Sequence, residues 1–188
     1  MSQHDYGWLE AGRIFEDYSF LDKLAEDYKR KVLNFISLCQ YKTVVFDFDG
    51  TLTEFKYDKD RLLPCKDVDL NEYFATNNFY DKCRILDTMK GVLDILYPFS
   101  QCDVYILSVS EENVKPHKLE CIKKNLPGIP EENIFQVPNA NAKLQVLQDL
   151  YDKHHREILF VEDTYKTLLN AEEIFVFVTG FHISSLLP

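Results

Sequence analysis

The sequence predicts an α/β fold, a mainly parallel sheet with helices packed on both faces. Three observations point to it. Five short apolar runs read as strands: TVVF (43–46), VYIL (104–107), IFQV (134–137), ILFV (158–161) and IFVFV (174–178). Segments with helical periodicity separate them, so strand and helix alternate along the chain. The runs are apolar throughout and do not alternate, the mark of strands buried on both faces.

The N-terminal segment comes first. Ile14, Tyr18, Leu21, Ala25, Tyr28, Val32, Phe35 and Cys39 follow one another at alternating steps of four and three, which places them on one stripe of a helix. Ser19 and Asp22 offer a capping box, so regular helix is expected from about residue 20. Residues 1–42 form a helical extension whose stripe either packs on the parent domain or makes a coiled-coil seam; so short and aromatic a stripe is expected to pack. TVVF then stops at Asp47-Phe48-Asp49-Gly50, which is turn chemistry. Residues 54–78 lack clean periodicity. A helix is expected from about 80 to 97, with Cys83, Leu86, Met89 or Lys90, Leu93 and Leu96 on one side and Gly91 as a point where it can split. Further helices are expected over 111–125, over 142–151 and, short, ahead of residue 174. Together the elements make a three-layer sandwich around a Rossmann-like sheet, with 43–188 as the core.

Composition narrows the function classes. The 188 residues are 46% apolar and 28% charged, a globular balance sufficient for one domain. The 21 basic and 31 acidic residues give a net charge of −10, so no broad basic face is expected and nucleic acid is not an expected partner. No run of about 18 apolar residues exists, so no membrane span is expected. The start, MSQHDYGWLEAGRIF, lacks a basic segment followed by an apolar one and does not read as a secretory signal. Five cysteines without a CxxC are expected to be free thiols in a reducing, cytoplasmic setting.

In an open parallel sheet, ligands bind outside the carboxyl ends of the strands. The polar residues just past those ends are Asp47 and Asp49, then Ser108, then Glu162 and Asp163, with Lys143 opening the helix after the third strand. Right-handed crossovers bring them to one rim. Carboxylates so crowded raise one another's pKa unless a cation intervenes, and an all-oxygen donor set favours Mg²⁺ over zinc or copper. A metal recruits phosphate oxygens, to which Ser108 and Lys143 can also donate, and N–H groups around Gly50 can add an anion nest.

Asp47-Phe48-Asp49-Gly50-Thr51-Leu52-Thr53 resembles the DxDGT motif of the haloacid-dehalogenase-like (HAD) phosphohydrolases. Ser108 after VYIL resembles their second motif, Lys143 in NANAKLQVL the third, and Glu162-Asp163 after ILFV the fourth. The resemblance covers roughly residues 43–180 and leaves the N-terminal helix out. It implies a Mg²⁺-dependent phosphomonoester hydrolase. Asp47 would be the nucleophile that forms an aspartyl-phosphate, and Asp49 the general acid and then base, its acidic form favoured by crowding among the carboxylates. Asp47, the Asp49 carbonyl and Asp163 would hold the metal, with Glu162 as a nearer or farther partner. Ser108 and Lys143 would hold phosphoryl oxygens, Gly50 would let the backbone approach, and Thr51 would fix the loop.

The fourth motif commonly carries two aspartates, so Glu162-Asp163 reads as a variant in which Asp163 is the firmer ligand. The second motif lies at Ser108 or Ser110; strand register favours Ser108, the first residue past the apolar run. In the HAD family specificity usually comes from cap insertions. Here only 54–80 has room for a small one, in which Lys56, Lys59, Arg61 and Lys66 and the rings of Tyr57, Tyr73, Phe74 and Phe79 are candidate substrate contacts. The chain from Ser108 to Lys143 is just long enough for core elements. The expected substrate is a small phosphorylated metabolite or nucleotide, acted on by a monomer or homodimer. A macromolecular phosphoester and a non-catalytic regulatory module are the alternatives. His154 and His155 are expected to be surface residues at the end opposite the site.

Overall fold

The computed structural model describes residues 26–55, 80, 83–98 and 101–187. Its elements, in order, are α1 (Glu26–Leu38), β1 (Thr43–Phe46), β2 (Thr53–Phe55), β3 (Cys83–Ile85), α2 (Asp87–Leu96), β4 (Asp103–Val109), α3 (Lys115–Asn125), β5 (Ile134–Val137), α4 (Ala140–His154), β6 (Ile158–Glu162), α5 (Tyr165–Ile174) and β7 (Val178–His182). A five-stranded sheet runs in the order β5-β4-β1-β6-β7, and every pairing in it is parallel. β2 and β3 form a separate antiparallel pair.

Strand parity sorts the core into two layers. Val44, Phe46, Val104, Ile106, Leu159 and Val161 meet buried residues of α1, α2 and α3 on one face. Val45, Tyr105, Leu107, Ile158, Phe160 and Val178 meet α4 and α5 on the other. Both faces are covered, which is why the central strands carry no polar alternation. The α/β three-layer sandwich read from the sequence is thus the observed fold. α1 belongs to it: Tyr28, Val32, Phe35 and Cys39 of the stripe are buried, and the Phe35 ring lies 6.2 Å from Phe46 and 4.9 Å from Phe181. The stripe packs on the domain from Tyr28 onward. Ile14, Tyr18, Leu21, Ala25 and the Ser19–Asp22 box lie outside the described residues.

Several boundaries differ from the sequence reading. The fifth strand is Val178–His182, not 174–178; Ile174 closes α5, and Phe175 and Phe177 are the loop. The two rings pack at 5.0 Å, and Phe177 stacks on Tyr151 of α4 at 3.8 Å, so the rings are half-buried by stacking while Ile174 and Val176 stay exposed. β7 is the sheet edge and tolerates the mixed residues Thr179 and His182. Residues 83–85 are strand, not helix, because Thr53–Phe55 supplies a partner with Thr53 opposite Ile85 and Phe55 opposite Cys83. Gly91 does not split α2. Helix α4 runs longer than 142–151, capped by Asn139, whose side chain accepts from the Ala142 N–H, and closed by His155 in a left-handed conformation. His154 is half-buried, its Nε2 2.7 Å from the Tyr105 hydroxyl, whereas His155 is exposed as expected. Between β4 and α4 stand only α3, a 3₁₀ turn (Glu131–Asn133) and β5, so no insertion interrupts that stretch. The cap expected over 54–80, with its Lys, Arg and aromatic candidates, lies outside the described residues apart from the end of β2 and Tyr80.

Phe35→Ala is expected to destabilise the protein by about 3–5 kcal/mol, the usual loss for truncating a fully buried ring. Urea unfolding measures it; a loss under about 1 kcal/mol would make α1 peripheral to the core.

Candidate active site

The sheet order places β1 at the centre, and the chain leaves it on one side toward β4 and β5, then crosses to β6 and β7 on the other. The crevice beyond β1 is therefore the topological switch point, where ligands bind in open parallel sheets. Asp47 continues the β1–β6 ladder, its N–H donating to the Val161 carbonyl at 2.8 Å. The chain then turns sharply. The Phe48 carbonyl accepts from the Leu52 and Thr53 N–H groups and from the Thr53 hydroxyl at 3.0, 3.2 and 3.1 Å. Gly50 sits at φ +73°, and a Cβ there would collide with the Asp163 carboxylate, so the position needs glycine for both conformation and space. Thr51, expected to fix the loop, is buried with its hydroxyl unbonded; Thr53 ties the turn instead.

Two ion-pair lobes flank this turn, one drawn from each helical layer. Asp47 shares the sheet face of Val45, and Glu162 that of Phe160, both toward α4. From the first turn of α4, Lys143 donates to Asp47 Oδ1 at 2.7 Å and to Glu162 Oε2 at 2.6 Å. All three side chains are almost fully buried. On the opposite face, Lys118 of α3 donates to Asp49 Oδ2 at 2.5 Å, Ser108 Oγ at 3.0 Å and the Val109 carbonyl at 2.5 Å. Tyr80 completes that lobe, its hydroxyl donating to Asp49 Oδ1 at 3.1 Å.

The predicted residues thus divide. Asp47, Lys143 and Glu162 meet in one lobe, Asp49 and Ser108 in the other, with Gly50 and Asp163 at the mouth. Ser108 lies inside β4, paired with Gln136, and not past its end as strand register suggested, because the strand runs on to Val109. Ser110 is also buried, with its hydroxyl unbonded. Glu162 likewise closes β6 instead of following it. Among the described residues, the groups bonded to the Asp49 carboxylate are Lys118, Tyr80 and Ser108, and its charge also acts on Asp47. The sequence reading missed Lys118 and Tyr80. Lys118 was legible in principle, because Val114, Lys118, Cys121 and Ile122 make one buried stripe of α3 in which a lysine breaks an apolar pattern. Tyr80 stands where the 54–80 segment rejoins the core, and no local pattern marks it.

Crowding and burial act on the other lobe. Burial, together with the Asp47 charge, pushes Glu162 up to about 7. Burial also outweighs the Lys143 ammonium at Asp47 and takes it up to about 6. Burial works against the Lys143 charge, but Asp47 and Glu162 overcome it and hold its pKa above the ordinary value. Burial, then the neighbouring Asp49 carboxylate, raises the Tyr80 phenol, which stays a donor.

Asp47, Glu162 and Asp163 each offer a carboxylate oxygen, and these atoms lie within 4.8 Å of one another. An all-oxygen set of that spacing, two members buried and one exposed, fits a hard divalent cation such as Mg²⁺. The Asp49 carboxylate does not belong to the set. No helix among the described residues is long and apolar enough to cross a membrane. No family model matches the chain, and no curated protein matches it.

The raised pKa values carry a sign. Folded Asp47 and Glu162 hold protons that their unfolded forms release, so their contribution is full below about 4 and is lost as pH rises from there through about 6 for Asp47 and about 7 for Glu162. The metal-free protein is expected to lose thermal stability over that window, and Glu162→Gln to lose less. Mg²⁺ should offset the decline. Melting curves in EDTA measure it; a wild-type Tm that rises through the window relative to Glu162→Gln would contradict the assignment.

Proposed function

We propose that the chain is a Mg²⁺-dependent phosphomonoester hydrolase of the HAD type, acting through an aspartyl-phosphate on Asp47. The observation that carries this reading is the pairing of Asp47 with Lys143 and Glu162 at the switch point, with Asp163 close enough to share a cation. The order of the DxDGT-like, Ser108, Lys143 and Glu162-Asp163 motifs supports it. Asp47, Asp163 and the Asp49 carbonyl would hold Mg²⁺, with Glu162 within reach. When bound, the ion supplies positive charge that keeps Asp47 ionised and neutralises phosphoryl oxygens.

An Asp47 oxygen attacks phosphorus, and the bond from phosphorus to the leaving alcohol breaks. The Asp49 carboxyl gives its proton to the departing oxygen. In the second half Asp49, now a carboxylate, takes a proton from the water that attacks the phosphoenzyme, releasing phosphate and free Asp47. Ser108 and Lys143 donate to the phosphoryl oxygens as charge shifts. Lys118 and Tyr80 hold Asp49 from two sides, so its reach to the leaving oxygen is set before substrate arrives. The substrate is a small phosphorylated metabolite or nucleotide, and the setting is cytoplasmic.

Hydrolysis of p-nitrophenyl phosphate is expected to require Mg²⁺, to stop in EDTA and to fall by roughly a thousandfold or more in Asp47→Asn. Activity that survives in either condition would contradict the mechanism. Lys118→Met is expected to leave the fold intact, because the Asp49 side chain is 34% exposed and can rehydrate. It should lower turnover of alkyl phosphates, which need a proton on the leaving oxygen, by about a hundredfold, and that of p-nitrophenyl phosphate far less. Equal losses on both substrates would give Lys118 a role other than positioning Asp49.

A further inference from the structure

We propose that His182 is a positioning residue for the cation site: its imidazole anchors the main chain of Asp163 and keeps the third carboxylate within reach of the other two. This rests on the reading of Asp163 as a cation ligand. The ladder between β6 and β7 ends where Glu162 stands opposite His182, and Asp163 is the first residue beyond it. There the His182 ring takes over. Its Nε2 lies 2.8 Å from the Asp163 carbonyl, and its Nδ1 lies 2.7 Å from the Ser184 hydroxyl and 3.2 Å from the Ser184 nitrogen. A carbonyl only accepts and a backbone N–H only donates, so Nε2 carries the hydrogen and Nδ1 is an acceptor. One ring thus caps the 3₁₀ turn (Ile183–Ser185) that follows β7 and extends the hold of β7 on β6 by one residue.

Asp163 needs such a hold. Asp47 and Glu162 are buried and both bonded to Lys143, whereas Asp163 is exposed. A cation needs the carboxylates ionised, and in that state the two buried ones repel Asp163 toward water. The Thr164 hydroxyl donates to Asp163 Oδ1 at 3.3 Å, and the Thr164 N–H donates to Glu162 Oε1 at 3.2 Å, so the carboxylate end is tethered locally. His182 tethers the main chain from the neighbouring strand.

Groups that fix a ligand before the ion binds raise affinity, because the ordering is already done when the ion arrives. The two jobs of the ring can be separated by substitution. A glutamine amide nitrogen lies as many bonds from Cβ as Nε2 does, so His182→Gln keeps a donor for the Asp163 carbonyl. An asparagine side chain ends at the position of Nδ1. His182→Asn therefore keeps an oxygen that can accept from the Ser184 N–H and cap the turn, but its amide stops short of Asp163.

Mg²⁺ is titrated calorimetrically into the full-length chain, stripped with EDTA and dialysed, as wild type, Asp163→Asn, His182→Gln and His182→Asn, and each is melted without metal. His182→Asn is expected to bind Mg²⁺ about tenfold more weakly than the wild type, although its turn is capped. His182→Gln is expected to bind close to the wild type, even where its metal-free Tm falls. Equal affinities in the two His182 variants, or affinities that follow Tm instead of the donor to Asp163, overturn the proposal. They leave the cation reading standing so long as Asp163→Asn loses affinity. A wild type that binds no Mg²⁺, or an Asp163→Asn that binds as the wild type does, overturns both.

Discussion

Two buried ammonium groups, one from each helical layer, hold the acidic rim of this sheet together. Parallel register forces Asp47 and Glu162 to the same face of adjacent strands, where two desolvated carboxylates repel each other. Lys143 reaches both from α4 and makes the corner tenable. Removing one partner from such a buried set is more costly than never having built it, because the remaining charges stay desolvated. Asp49 turns the other way and meets Lys118 of α3. Burying two lysines at 1–4% side-chain exposure is unfavourable unless every ammonium finds acceptors, and both do.

The sharp turn after β1 follows from the same constraint. Asp47 must stay in the sheet ladder while Asp49 leaves it, and only Phe48 separates them. Gly50 supplies the left-handed conformation, and the Phe48 carbonyl gathers three donors to close the loop. The glycine also leaves room for Asp163, which brings a third carboxylate oxygen to the mouth of the lobe. The unexpected β2–β3 pair anchors the return of the 54–80 segment beside α3. Tyr80, which supports Asp49, arrives there.

The parts of this arrangement that were legible in the sequence are those written in local pattern. Continuous apolar runs announced buried parallel strands, and the steps from Tyr28 to Cys39 announced a packed helix. Polar residues at strand ends announced Asp47, Asp49, Lys143, Glu162 and Asp163. Elements decided by tertiary contact were not legible. IFVFV has strand composition, yet Phe177 stacks on Tyr151 and on Phe175, and residues 175–177 become the loop between α5 and β7. CRI has no strand pattern, yet pairing with Thr53–Phe55 makes it one. Lys118 breaks an apolar stripe, a signal that becomes readable once the helix after β4 is known to face the core. Tyr80 acts through a contact with Asp49 across 31 residues of chain, which no local period encodes.

The central claim is that Asp47 is a nucleophile and not merely a buried acid. It is tested most directly by mixing the Mg²⁺-loaded protein with a phosphomonoester that it turns over, quenching in acid and mapping phosphate by mass spectrometry. The account predicts a hydroxylamine-labile phosphate on the peptide that carries Asp47, absent from Asp47→Asn. Turnover with no phosphate on that peptide, or with phosphate on another residue, would contradict it.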